Sequence, residues 1–184
     1  MVNSMENNKI TAAEKPLTKA KDEIIKEARR IEEDTLYSSK GHFAASHFWS
    51  NFHLWVGIPI VFLSALAGTS ALSEVSHKNL IAGILAIIVA VLSGVWTFIN
   101  PNEKASAHLN SGNNYDALQN KIRIFRTIEC WDEESNKVLT EKLKTLTDQK
   151  DKLNLSCPQI PHWAYKAGKK GIEAGEADYR VDKN

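Results

Sequence analysis

Two uncharged stretches decide the fold. They are His53-Leu-Trp-Val-Gly-Ile-Pro-Ile-Val-Phe-Leu-Ser-Ala-Leu-Ala-Gly-Thr-Ser-Ala-Leu72 and Leu80-Ile-Ala-Gly-Ile-Leu-Ala-Ile-Ile-Val-Ala-Val-Leu-Ser-Gly-Val-Trp-Thr-Phe-Ile99. Each has about 20 residues, which as a helix matches a hydrocarbon core of about 30 Å. Because a helix satisfies its own backbone in lipid, we expect two transmembrane helices. The alternative is a buried pair in a soluble bundle, which would need polar helices to cover both.

Whole-chain averages conceal these stretches. The 184 residues include 24% charged residues and carry a net charge of +1. This nearly even balance of charges argues against a nucleic-acid partner, because proteins that bind nucleic acids normally present a strongly basic face. The two cysteines, Cys130 and Cys157, have neither metal-ligand spacing nor a disulfide pattern. The polar first forty-odd residues lack a short basic segment followed by an apolar core, so we expect no cleaved signal peptide.

The connector, residues 73–79, is short enough to make the two helices antiparallel neighbours. It offers one basic residue, Lys78, whereas several basic residues flank the other ends. Cytoplasmic flanks are the ones enriched in Lys and Arg, so we expect both termini in the cytoplasm. The flanking residues are Lys26, Arg29, Arg30, Lys40, Lys104, Lys121, Arg123 and Arg126.

The predicted architecture is an all-α membrane protein: a two-span transmembrane helical hairpin with cytoplasmic amphipathic helices at both ends. We divide the chain into a disordered N-terminus, an amphipathic helix leading into span one, the hairpin, a helical pair and a C-terminal extension with a short helix. These segments are residues 1–15, 16–47, 48–100 (spans 53–72 and 80–99, external loop 73–79), 101–155 and 156–184.

Apolar residues at three- and four-residue steps predict the cytoplasmic helices. Asn100 suits a helix N-cap, Pro101 the first helical position and Glu103 the capping-box position. Glycine inside such a stripe costs helix stability, so at Gly112 we expect a close helix crossing. The stripes are Leu17, Ile24, Ala28, Ile31 and Thr35; then Ala105, His108, Gly112, Tyr115, Leu118, Ile122 and Phe125; then Leu139, Leu143, Leu146, Lys150 and Leu153.

Small residues form rows along both spans, where they permit close backbone approach in lipid. These rows either close the hairpin within one chain or recruit neighbouring chains, and with small residues on more than one face we expect a homo-oligomer. The candidate packing and oligomerisation residues are Gly57, Ser64, Ala65, Gly68, Ala82, Ala86, Ala90 and Gly94.

The spans hold no ionisable side chain except His53 at the edge, and two spans are too few for an alternating-access transporter. Ions would therefore cross only through an oligomeric pore lined by small and hydroxylated residues. Pro59 predicts a kink, which is either architecture or a hinge. The candidate pore-lining residues are Ser64, Thr69, Ser93 and Thr97.

His108 shares a helix face with Tyr115, which allows either a hydrogen-bonded packing histidine or a ligand pocket. The remaining histidines share no metal-ligand spacing. No nucleophile elbow, phosphate loop or catalytic carboxylate pair is present in the sequence. We expect no enzyme activity, no cofactor and no metal.

The segment directly after the second span resembles the SLATT family, two-transmembrane effector domains associated with bacterial nucleotide-signalling defence systems. The tail from Trp163 to Tyr179 is similar to one branch of that family, and the resemblance covers residues 20 to 182. The matching motif positions are Asn100, Pro101, Glu103, Lys104, Ala105, His108, Gly112, Tyr115, Leu118, Ile122 and Arg123.

The resemblance implies an effector in the bacterial inner membrane, triggered by an upstream sensor protein or a nucleotide second messenger. It would oligomerise, form a pore or disrupt the membrane, and stop phage spread by abortive infection. His108, Gly112 and Tyr115 are its candidate structural-signalling residues. The alternative is a non-conducting two-span anchor or scaffold that docks a partner through the cytoplasmic helices. A ligand receptor using the face around His108 is a third hypothesis.

Overall fold

The computed structural model describes the backbone of residues 2–72, 77–131 and 135–183, and the side chains of residues 19–72, 77, 79–131 and 135–181. This part of the chain is helical apart from short connections and contains no strand, as predicted. Five helices follow one another: α1 (Val2–Leu72), α2 (Lys78–Ile99), α3 (Pro101–Thr127), α4 (Asn136–Ser156) and α5 (His162–Glu173). Short 3₁₀ turns occupy Glu129–Trp131 and Arg180–Lys183.

Two predicted segments reach beyond the described residues. We expected disorder over residues 1–15. The described backbone of α1 begins at Val2, the side chains of residues 2–18 lie outside the described part, and the expected disorder stays a prediction. Most of the predicted loop, residues 73–76, also lies outside it. Two of the helices are long and apolar enough to cross a membrane by length and composition.

Helix α1 is the element on which the others pack. It contacts α2, α3, α4 and α5, and α3 also contacts α4. The helix continues without a break through Gly41 and Pro59. One backbone therefore runs from the helical bundle into the first apolar stretch.

The hydrophobic core lies between α1, α3 and α4, and the stripes predict its members. All seven stripe positions of α3 are buried. In α4, Leu139 and Leu146 are buried and Lys150 pairs with Asp34 of α1. The core cluster contains Ile24, Ala28, Ile31, Leu118, Ile122, Phe125, Cys130, Leu139 and Leu146.

A partly buried ion pair also ties α3 to α1. The Arg126 Nε lies 2.6 Å from the Glu32 carboxylate, and the two residues are far apart in sequence. Side chains this shielded from water interact more strongly than the exposed pairs within α1, such as Lys26 with Glu23. The pair fixes the register of α3 on α1.

A single residue joins α2 to α3. Asn100 is the N-cap residue of α3 and Pro101 its first residue, as predicted, but the side-chain capping hydrogen bond expected of Asn100 is absent. Asn100 has φ 45° and ψ 61°, and its backbone N–H donates to the Trp96 carbonyl, so it terminates α2 in left-handed geometry. A side-chain N-cap needs extended geometry, which the same residue cannot also adopt. The Asn100 amide instead donates to the Glu103 carboxylate, and α3 begins directly at Pro101.

The connection from α4 to α5 is set by two prolines. Cys157 has an extended backbone, as expected before Pro158, and ends α4. Pro161 then precedes α5. This turn returns α5 to the middle of α1.

Candidate functional site

The buried face of α1 continues beyond its apolar residues with a row of polar residues. Beyond Thr35, steps of four, three and four residues reach Ser39, His42 and Ser46, and all four side chains are buried. The Ser46 hydroxyl donates to the Ala105 carbonyl of α3 at 2.9 Å. Buried polar groups require partners. Thr35 and Ser39 donate to carbonyls of α1 itself, whereas the partners of His42 and Ser46 lie on α3.

His42 and His108 form a buried hydrogen-bonded pair. Their Nδ1 atoms are 2.9 Å apart and the ring centroids 5.1 Å. One Nδ1 must carry the proton and the other must accept it, so two neutral rings have opposite tautomers. Of the two alternatives for His108, a hydrogen-bonded packing histidine describes this contact. Its partner, His42, was not among the residues that the sequence analysis selected.

Tyr115 extends this contact to α4. Its ring stacks on His42 at 5.5 Å, and its hydroxyl donates to the Asn154 Oδ1 at 2.8 Å. We call His42, His108, Tyr115 and Asn154 the histidine layer. A cavity of about 260 Å³ adjoins it, bordered by the α4–α5 connection.

Burial keeps the histidine layer uncharged near neutral pH. It lowers the pKa of His42 from 6.5 to about 4, helped by the neighbouring His108, and it lowers the pKa of His108. Burial, with a smaller effect of Cys157, raises the pKa of Tyr115 to about 12. Among the described residues, no three His, Cys, Asp or Glu side chains are grouped to hold a metal ion.

Helix α5 crosses α1 with the two backbones in contact. A Cβ on Gly168 would lie 2.8 Å from the Gly41 nitrogen and from the Lys40 carbonyl carbon. Cβ atoms in proteins essentially never approach non-bonded atoms that closely. Ala45 and Ala164 at the same crossing are fully buried. Small residues on both helices are therefore required for this contact.

Two motif positions of α3 meet distant segments. We expected a close helix crossing at Gly112. The neighbour there is a side chain of α1, the ring of Phe43, which would lie 2.7 Å from an added Cβ. The Arg123 guanidinium lies 4.6 Å from the ring centre of Tyr179, near the C-terminus. The α3 segment and the tail, which the sequence analysis singled out separately, thus touch in the fold.

Most of the side chains in the contact between α1 and α2 are bulky, and small residues take part at Gly57, Ala67 and Ala82. The partly buried positions that mark this contact are Val56, Ile60, Leu63 and Ala67 of α1 and Leu85, Val89, Leu92 and Trp96 of α2.

Of the predicted small residues, Gly57 lies inside the contact, where a Cβ would be 3.3 Å from the Trp96 ring. Ala82 is partly buried. The other six lie on outer faces, and added Cβ atoms at Gly68 and Gly94 would meet nothing within 4 Å. These outward residues are Ser64, Ala65, Gly68, Ala86, Ala90 and Gly94.

The candidate pore-lining residues do not share one face. Ser64 and Thr69 are five residues apart, so they lie roughly 140° from each other around α1. Both are exposed, as is Thr97, whereas Ser93 is partly buried. The hydroxyls of Ser64, Thr69 and Thr97 donate to carbonyls of their own helices. These four side chains therefore cannot all face the same channel.

The partner histidine and the glycine crossing were not predicted. A signal for His42 existed, because it continues the 3–4 spacing of the α1 stripe from Thr35. Gly41 and Gly168 gave no local signal, since glycine within a helical segment indicates weak helix as readily as a crossing. No protein-family model, curated protein or solved structure matches the chain.

Proposed function

We propose that the chain is a membrane effector of a bacterial anti-phage defence system. Its two apolar helices form a transmembrane hairpin, and chains oligomerise to open a pore or disrupt the inner membrane. An upstream sensor or nucleotide signal acts first on the helical bundle. Depolarisation then causes cell death or arrest.

Exposure of the apolar helices supports insertion. No side chain between residues 53 and 72 or between residues 80 and 99 is buried. Large apolar groups point outward, with Trp55 79% and Phe98 91% exposed. A contiguous apolar surface of this extent is unusual on a soluble monomer, and it counts against the soluble-bundle alternative.

The proposed topology puts both termini in the cytoplasm. It rests on the basic flanks and on the aromatic residues at the bundle end of both apolar helices, where Phe52 stacks on Trp96 at 6.4 Å. The Lys104 ammonium lies over the Trp49 ring at 4.6 Å, an arrangement suited to a membrane–water boundary.

The observation that carries the effector proposal is the outward direction of the small rows. Ala86, Ala90 and Gly94 form one exposed row of α2 that the contact with α1 leaves free. In lipid, helices associate where small residues allow close approach. A hairpin closed mostly by large residues and bordered by free small rows is suited to binding further copies.

The resemblance to the SLATT family supplies the proposed trigger and biological setting. The motif positions His108, Gly112 and Tyr115 lie on the face of α3 that packs on α1. Because α1 continues into the first apolar stretch, a change in this packing would reach the membrane.

Membrane potential in intact bacteria tests the proposal. We expect induced expression, alone or with the triggering partner, to collapse the signal of a potential-sensitive dye before growth stops. A matched control is the Val91→Leu variant, which alters an exposed face outside the small row and should still depolarise. Normal polarisation in triggered, growth-arrested cells would contradict pore formation.

An exposed apolar patch favours the scaffold alternative as a second candidate. Ile124, Ile128, Trp131 and Val138 are exposed at the end of the bundle farthest from α2, and Trp131 is 71% exposed. Tryptophan is common at the centre of protein interfaces. If the protein is only a scaffold, replacing residues 53–99 by an unrelated hairpin will preserve activity, whereas a pore will not survive that exchange.

A further inference from the structure

Two cavities meet at one side chain pair where the apolar helices join the bundle. One, of about 520 Å³, runs along α1 from His53 to Phe62 and is closed by Trp96. The other, of about 270 Å³, lies on the opposite side of His53 and Trp96, against Asn100 and Asn102. The first is apolar apart from His53, and the second is bordered by amides and the Thr97 hydroxyl.

His53 carries the unexplained polar atom at this junction. Its ring packs on Trp96 with centroids 4.7 Å apart, and its Nδ1 is buried without a hydrogen-bond partner. Among the described side chains it is the only buried nitrogen or oxygen in that condition. Buried polar atoms almost always have partners in proteins, so an unpaired one calls for an explanation.

The apolar cavity has the form of a groove about 14 Å long, judged from the nine-residue separation of its ends. Gly57 lies at its floor, where the absence of a side chain lets the Trp96 ring pack closely on α1, 3.3 Å from an added Cβ. The exposed side chains Leu54, Ile58, Val61 and Phe62 form its walls.

The polar cavity is at the level where charged side chains begin. Lys104 lies one helical turn beyond Asn100 and holds its ammonium over Trp49. Trp49 contacts Phe52, which in turn contacts Trp96. Two amides and an unpaired ring nitrogen therefore lie at one end of an apolar groove. The Asn100 amide also donates to the Glu103 carboxylate, and the Lys104 cation lies beyond the cavity, over Trp49.

We propose that this junction binds one glycerophospholipid, with an acyl chain in the groove and an ester or phosphate oxygen in the polar cavity, where the His53 ring turns out from Trp96 so that its Nδ1–H donates to that oxygen. The proposal rests on the membrane insertion proposed above. A lipid combines a long apolar segment with hydrogen-bond acceptors at one end, in the order that the groove and the polar cavity present. The bound lipid would fix the angle between α1 and the α2–α3 junction.

Native mass spectrometry of the detergent-solubilised full chain tests the site, with a phosphatidylglycerol of one defined acyl composition as the probe. We expect wild type to bind a first lipid distinctly more tightly than later ones. His53→Phe keeps the ring but removes the donor, and should weaken first-lipid binding about fivefold, equivalent to about 1 kcal/mol. Gly57→Leu fills the groove and should abolish the tight first event.

Gly83→Leu is the matched control, because it adds the same side chain to an outer face of α2 with open space around it and outside the small rows. It should bind the first lipid as wild type does. Equal first-lipid affinity in all four proteins would overturn the proposal and indicate annular lipid only. If the variants changed the proportion of dimer but not the number of bound lipids, the proposal would also be overturned. The occupant of the groove would then be a second copy of the chain.

Solubility is measured before lipid is added, so that the two proposals fail separately. A chain that is monodisperse without detergent contradicts membrane insertion itself. A chain that needs detergent but shows no preferred first lipid contradicts only the lipid site. Circular dichroism of each variant verifies that its helices are intact.

Discussion

The histidine pair holds two titratable rings where a charge is unfavourable. Burial lowers the pKa of His42 from 6.5 to about 4 and lowers that of His108. In the unfolded chain both rings bind protons near their ordinary pKa. The stabilisation from neutral packing is therefore complete above about pH 6.5 and is lost as the pH falls toward 4.

We expect thermal stability in detergent to fall as the pH is lowered from about 7.5 to about 4.5, with the contribution of His42 approaching about 3 kcal/mol. His42→Asn should flatten this part of the pH dependence. His47→Asn is the matched control, because His47 is exposed and its replacement should leave the dependence unchanged. The same pH dependence in wild type and His42→Asn would refute the assignment.

The sequence predicted only the α3 members of the histidine layer. His108 and Tyr115 lie in an apolar stripe, and their burial follows from helical spacing. Their partners could not be read in the same way, because His42 comes 66 residues earlier and Asn154 39 residues after Tyr115. Hydrogen bonds between distant segments leave no periodic pattern in the chain.

At the scale of elements, two glycines allow close contacts of different kinds. Gly168 faces the backbone of α1, which cannot move without separating the helices, whereas Gly112 faces the ring of Phe43, which can rotate. The same Gly→Ala change should therefore have unequal effects at the two sites.

We expect Gly168→Ala to destabilise the protein by about 1–3 kcal/mol, even though alanine favours helix by about 1 kcal/mol. Gly112→Ala should stay within about 1 kcal/mol of wild type. Thermal unfolding followed by circular dichroism measures both, and Gly83→Ala, in open space, is the control. A larger loss for Gly112→Ala than for Gly168→Ala would show that the α1–α5 contact is misassigned.

The long helices were predictable because each follows one rule over many residues: uncharged stretches of span length, or apolar residues every three or four positions. The junction at Asn100 was only half predictable. Its sequence signals a helix start, but the preceding helix ends at the same residue, and a single backbone conformation must serve both ends.

At the scale of the whole molecule, the free row on α2 makes assembly testable. Ala86→Leu and Ala90→Leu add bulk where neighbouring helices would approach closely. Each should weaken self-association about tenfold, or about 1.4 kcal/mol, in detergent. Val91→Leu adds bulk to an exposed position outside the row and should leave assembly intact.

Crosslinked mass, or light scattering coupled to size-exclusion chromatography, measures the change. Unchanged oligomer size in both Ala→Leu variants would remove the support that the small rows give to a pore-forming assembly. Loss of assembly in Val91→Leu as well would indicate a general packing effect instead of a defined helix face.

The uninterrupted course of α1 gives the bundle leverage over the apolar helices. From Lys19 to Leu72 it has 54 residues, a rod roughly 80 Å long. The buried His42 lies about 45 Å from the far tip, so a tilt of about 10° at that level swings the tip by about 8 Å, comparable to the 8–10 Å that separates packed helix axes. A modest loosening around the buried histidines would be magnified, by lever arm alone, into the making or breaking of contacts with neighbouring chains.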